Sequence, residues 1–213
     1  MKRFTQALVI GSAVALSLGL AGCTKSEPET PQVKLSVSEA AAQYLDAVCP
    51  VNSAWDAADS EIDRLRIAVA RGEGVVDTRL YADAISQVGE VSGKAATQLT
   101  SADVVWPAAA GPLVVKVASS LKADAKTAPT AAKLEAEQAV NYEWPGATQA
   151  GTAAAAVREA LGLPDDAVAA CDARAEQIAE ERAAEKAEQA KQAEQADSAG
   201  TGAPAEKNED KSK

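Results

Sequence analysis

From residue 41 to residue 69 an apolar side chain returns every three or four positions: Ala41, Tyr44, Val48, Val51, Trp55, Ala58, Ile62, Leu65 and Val69. That alternation matches the 3.6-residue period of an α-helix, so these residues share one face of a long helix. Pro50 falls inside the run without shifting its phase. A proline there has no amide to give the Asp46 carbonyl and crowds it. This predicts a kink in one long helix, or two helices that nearly share an axis. Ser36 and Glu39 have the spacing of a capping box and Leu35 sits where a staple residue would, so the helix is expected to open here. A stripe of about eight turns needs partners of similar length, and the rest of the chain has to supply them.

It supplies further helices. Arg71-Gly72-Glu73-Gly74 ends the first with a glycine able to take positive φ, and Asp77 is placed to cap a second with Leu80 or Tyr81, Ala84, Val88, Val91, Ala95 and Leu99 inward. So short a connection makes the two antiparallel. A third is expected after Trp106-Pro107, burying Val114, Val117, Leu121, Ala125 and Ala128 until Pro129 interrupts it. Residues 130–142 are helix-prone without a clear inward face. Trp144-Pro145 marks another start, since proline keeps the residue before it out of the helical region and suits a first turn. This helix buries Ala150, Ala154, Val157 and Leu161, and Leu161-Gly162-Leu163-Pro164 reads as a Schellman stop. Asp165 is expected to cap a last helix with Val168, Cys171 and Ile178 inward. Beyond Ile178 alanine is the largest apolar side chain, so residues 179–196 can be helical by propensity but bury no face of any size. Gly, Pro, Ser and charges predict disorder for residues 197–213. The expected fold is therefore all-α: an antiparallel bundle of about four to five helices over residues 36–178, then a charged helical extension and a disordered tail over 179–213.

The beginning of the chain has a different character. Lys2 and Arg3 precede an uncharged run from Ala7 to Leu20, which is short for a comfortable membrane span, and Leu20-Ala21-Gly22-Cys23 closes it. This order resembles the type II signal peptide and lipobox of bacterial lipoproteins. The resemblance implies that residues 1–22 are removed and that the Cys23 sulfur carries a diacylglycerol, with acylation, palmitate included, also expected at the new N-terminus. It places the protein on the extracytoplasmic side of a cell membrane, held there by lipid. Thr24 stands where diderm lipoproteins retained at the inner membrane carry aspartate. Residues 23–35, with Pro28 and Pro31, are expected to form an extended tether.

Once Cys23 is assigned to lipid, Cys49 and Cys171 remain as a pair in an exported chain, where such a pair is expected to form a disulfide. Neither belongs to a Cys-x-x-Cys, which argues against a redox function. Tyr44-Leu45-x-x-Val48-Cys49-Pro50-x-Asn52, the two Trp-Pro pairs and Leu161-Gly162-Leu163-Pro164 are also similar to small helical lipoproteins of actinobacteria. That likeness implies no activity.

Composition narrows the partners. Of 21 basic and 31 acidic residues, only Lys2 and Arg3 lie in the leader, so the mature chain carries a net charge of −12. Such a surface disfavours nucleic acid and anionic lipid. The chain has no histidine, which removes Ser-His and Cys-His nucleophiles, histidine general bases and the common zinc sites. Ser119-x-x-Lys122 matches a short penicillin-binding-protein motif, but Ser-Asp-Asn is missing and Lys126-Thr127-Ala128 follows too closely to serve as the third element. Asp56, Asp59 and Asp63 lack the glycine of a calcium loop and read as a solvated face beside Arg64 and Arg66. No catalytic residue, metal or cofactor is expected. The sequence thus predicts a non-enzymatic envelope lipoprotein that engages another envelope component. The alternative is a binder of small ligands or cell-wall glycans using Trp106 and Trp144.

Overall fold

The computed structural model describes residues 32–200, with side chains through residue 193; the leader, Cys23 and most of the expected tether and tail lie outside it. Six helices dominate: α1 Val37–Ala70, α2 Arg79–Leu99, α3 Gly111–Ala131, α4 Ala136–Val140, α5 Ala147–Ala160 and α6 Ala167–Gly200. The fold is an all-α helical bundle.

Helix α1 opens as its sequence requires. Glu39 N donates to Ser36 Oγ and Ser36 N donates to Glu39 Oε2, closing the capping box that satisfies two otherwise orphaned amides. The helix then runs unbroken through Pro50 to Ala70. Pro50 is exposed, so the Asp46 carbonyl that it leaves unpaired lies on a turn that faces water. The stripe is the core. Tyr44, Val48, Val51, Ala58 and Leu65 are buried and Trp55, Ile62 and Val69 half-buried.

Packed antiparallel to α1, helix α2 buries Tyr81, Ile85, Val88, Ala95 and Leu99, while Leu80 remains exposed, which settles the choice between the two. The cap position falls one residue later than expected, on Thr78, which makes no side-chain bond there, and Asp77 lies just outside the helix. Asp77 Oδ1 still accepts from Arg79 N at 3.0 Å and its carboxylate pairs with the Arg79 guanidinium. Helix α3 lies very close to α2. A Cβ built on Gly89 would sit 2.7 Å from Ala128 Cβ, so only glycine lets the two backbones approach this far.

The first Trp-Pro pair stands farther upstream of its helix than expected. The Pro107 carbonyl accepts from Ala110 N and Gly111 N in a turn, and α3 begins at Gly111 with Pro112 in its first turn. Pro129 does not interrupt α3, which continues to Ala131. It falls in the last turn, where few helical bonds remain to lose, and the terminal Ala131 carbonyl accepts from the buried Tyr81 hydroxyl at 3.0 Å. The ambiguous stretch after it forms short α4, opened by Glu135 and Gln138 as a capping box.

Helix α5 ends as predicted. Gly162 takes φ +65°, Leu163 N donates to Arg158 O at 2.9 Å and Gly162 N to Glu159 O at 3.1 Å, the two bonds of a Schellman motif. Helix α6 is capped by Asp166 rather than Asp165: Asp166 Oδ1 accepts from Val168 N and Ala169 N. The helix therefore starts one residue later. Cys171 and Ile178 lie half-buried as expected, but Val168 is exposed and Ala170 is buried beside Cys171. The helix continues to Gly200, past the expected onset of disorder at Asp197.

The tether also differs from expectation. Val33–Lys34 (β1) pairs in parallel with Val104–Val105 (β2), Val33 N donating to Asp103 O and Leu35 N to Val105 O. Backbone donors in that β-prone stretch find partners on the α2–α3 connection, so residues 32–35 belong to the folded domain and not to a free arm.

Candidate functional site

Helices α1, α3 and α5 do not close completely on one another. On α5 the space is lined by Ala150, Gly151 and Ala154, and side chains this small leave a gap before Val157 and Leu161 seal the helix against the core. The gap is a cavity of about 190 Å³ that reaches the surface at exposed Gly151. Val48, Val51 and Leu121 form its apolar walls.

Its polar groups sit at two ends. At one, Tyr44 is 1% exposed and its hydroxyl has no hydrogen-bond partner among the described residues. Burial pushes its phenol up to about 12, against the pull of the Arg158 charge beside it. Half-buried Arg158 donates Nε to the Asp165 carbonyl at 3.1 Å, and no described carboxylate pairs with it. At the other end, Asp124 is 8% exposed, and its Oδ1 accepts the indole N–H of Trp144 at 2.7 Å. Burial raises the Asp124 carboxyl above its ordinary value and the Trp144 bond acts in the opposite direction. Trp144 in turn meets Trp55 of α1 edge-to-face, ring centroids 4.7 Å apart, and Tyr142 at 5.8 Å. Arg158 and Asp124 thus line one cavity without forming an ion pair.

The structure does not bring together the two tryptophans singled out in the sequence. Trp106 packs on the cluster around Leu99 and Val114, its indole N–H donating to the Leu99 carbonyl at 3.2 Å, where it satisfies a last-turn carbonyl of α2. Trp144 packs instead with Tyr81 and Ala139 in the neighbouring cluster. Trp55, read as core, is the tryptophan that lines the cavity.

Cys49 and Cys171 are joined by a disulfide, with Cα atoms 5.6 Å apart across a separation of 122 residues. Asn52 Nδ2 lies 3.6 Å from Cys171 Sγ at the same junction. Ser119 and Lys122 are both exposed on the outer face of α3. Asp56, Asp59 and Asp63 are likewise exposed on α1, Asp63 paired with Arg66. Among the described residues no group of three or more carboxylates or cysteines is arranged to hold a metal ion. Cys23 lies outside the described residues.

Past Ile178, every side chain of α6 through residue 193 is exposed. No described helix is long and apolar enough to cross a membrane. In comparisons with known proteins, no family model, curated protein or solved structure matches the chain.

Proposed function

We propose that this chain is a lipid-anchored protein of the bacterial envelope: cut before Cys23, acylated on that sulfur, held on the extracytoplasmic face of a cell membrane, and acting there as a non-enzymatic helical interaction module. The observation that best supports an interaction role is the bare stretch of α6. A helix that buries nothing of its own domain is expensive to keep ordered, and its alanine stripe can be completed only by another molecule. The Cys49–Cys171 bond supports export, because disulfides persist in oxidising compartments. Eight residues lie between Cys23 and Gln32, a reach of at most about 30 Å, so a lipid on Cys23 would keep the bundle close to the membrane.

A small-ligand reading is favoured by one observation, the cavity between α1, α3 and α5. A glycan platform built on Trp106 and Trp144 has no such support, since the two lie in different clusters.

Mass spectrometry of protein taken from native membranes tests the anchor. A diacylglyceryl group on an N-terminal Cys23 is expected, with Cys23→Ser released to the medium or stalled in export; an uncut, unacylated chain contradicts it. A chain ending after Glu185, which keeps the Arg174–Glu181 pair, tests the partner. It should lose neighbours that full-length protein captures by cross-linking in membranes. Identical neighbours would place the interaction on the bundle.

A further inference from the structure

We infer that the cavity between α1, α3 and α5 is a binding site for a short monocarboxylic acid, its carboxylate on Arg158 and Tyr44 and its apolar chain along Val48, Val51 and Leu121 toward Trp55. The inference is independent of the membrane anchor and of the α6 extension.

Three observations carry it. The first is an unmet need at one end. The Tyr44 hydroxyl makes no hydrogen bond to a described residue and opens on the cavity, and half-buried Arg158 on the same lining has no described carboxylate, so two donors face a space that lacks an acceptor. A carboxylate supplies acceptors and charge together. The second is the shape of the cavity. Helix α3 runs in the same direction as α1 and α5 in the opposite one, which puts Arg158 level with Tyr44 and Asp124 level with Trp55. Tyr44 and Trp55 are eleven residues apart on α1, a rise of about 16 Å, so the space is elongated and not round. At about 190 Å³ it exceeds the roughly 150 Å³ that admits benzene, which suits an acid with a chain of about six carbons. The third is the far end. Asp124 has no cation beside it and repels a second carboxylate, which selects monoacids over diacids.

Hexanoate is the probe. Titrated into the full chain at neutral pH, it should give saturable NMR shifts centred on Tyr44, Val48, Val51, Leu121, Arg158 and the Trp55 indole. Hexanol, which keeps the chain and loses the charge, should bind about tenfold more weakly, and adipate, with a second carboxylate, weaker still. Arg158→Gln and Tyr44→Phe should each weaken hexanoate and leave hexanol unchanged. Because Arg158 also holds the Asp165 carbonyl, the hexanoate-to-hexanol ratio in the unaltered protein is an arm that needs no variant. Ala154→Leu, which fills the gap with a larger side chain, should abolish binding while the melting temperature holds or rises. Three results overturn the inference: no saturation by hexanoate up to about ten millimolar, equal affinity for hexanol, or tighter binding of hexylamine, which would assign the site to a cation on Asp124.

Discussion

Arg174 of α6 holds Asp46 of α1 with both edges of its guanidinium, Nε to Oδ1 at 2.8 Å and Nη2 to Oδ2 at 2.9 Å, within one turn of the Cys49–Cys171 bond. The junction falls on the turn of α1 that Pro50 weakens. A proline inside a helix costs about 3 kcal/mol or more in lost bonding and steric clash, so the two cross-links fasten α6 where α1 most needs support.

Reduction of the disulfide should therefore lower stability by about 2–4 kcal/mol, since the bond closes a loop of 122 residues. Arg174→Met should cost about 1 kcal/mol with the disulfide intact, because Asp46 is partly exposed to water. In reduced protein the same substitution should cost more, since the pair is then the remaining cross-link. Chemical denaturation of the four species measures both terms. Equal costs in oxidised and reduced protein would show that the two cross-links act independently.

Gly89→Ala tests the close approach of α2 and α3. Alanine is the better helix former by about 1 kcal/mol, yet its methyl would meet Ala128 Cβ at 2.7 Å, and neither methyl can rotate away. The clash should win, with a net loss of about 1–2 kcal/mol and a melting temperature lower by about 2–8 °C. Adding Ala128→Gly should recover part of it. A Gly89→Ala protein as stable as the original would mean that the helices separate at little cost.

Asp124 predicts a pH dependence of definite sign. Its folded value is raised by burial, so between the ordinary aspartate range near about 3.9 and that raised value the folded state binds more protons than the unfolded one. Its contribution then falls as pH rises through this interval, and at neutral pH the buried carboxylate is a net cost. An asparagine at this position would keep an oxygen for the Trp144 indole and carry no charge. Asp124→Asn should thus match the original protein near pH 3 and exceed it in melting temperature at pH 7. Asp77, held down to about 2 by Arg79, acts in the opposite sense in both proteins and cancels in the comparison.

Much of the bundle was legible because a helical period is written in the large residues. The stripe of α1, the Ser36–Glu39 box and the Gly162 stop depend on neighbours three or four positions away, and each stands where the spacing put it. Features decided by distant segments were not legible. Pairing of Val33–Lys34 with Val104–Val105 depends on two stretches far apart in the chain, and the cap of α6 fell on Asp166 where adjacent Asp165 has the same side chain. The cavity did leave a signal in the sequence. Asp124 occupies an inward position between Leu121 and Ala128, where a carboxylate has no reason to be in an ordinary core, and α5 turns only small residues toward it over its first half. Trp106 and Trp144 stand out as a repeated dipeptide, but repetition in sequence does not imply proximity.

The exposed part of α6 allows a prediction about order along a single helix. Its first three turns are fixed by Asp166, the disulfide, the buried Ala170 and the Arg174–Asp46 pair, so helix nucleation has already occurred when the chain reaches Ile178. Beyond it, propagation rests on the propensity of Ala, Glu, Gln, Lys and Arg alone, worth a few tenths of a kcal/mol per residue at most. Amide hydrogen exchange should show protection close to that of α1 through Ile178, then a smooth decline toward residue 193 with no second plateau. Removing the chain beyond Glu185 should lower the far-ultraviolet helical signal while leaving the melting temperature within about 1 °C, because residues 186–193 are exposed along their whole length. Protection in residues 179–193 as strong as in α1, in protein that sediments as a monomer, would mean that this stretch is held by contacts within its own chain. If the protection appears only as protein concentration rises, a second copy covers the alanine stripe; if it appears only when native membranes are added, an envelope partner does.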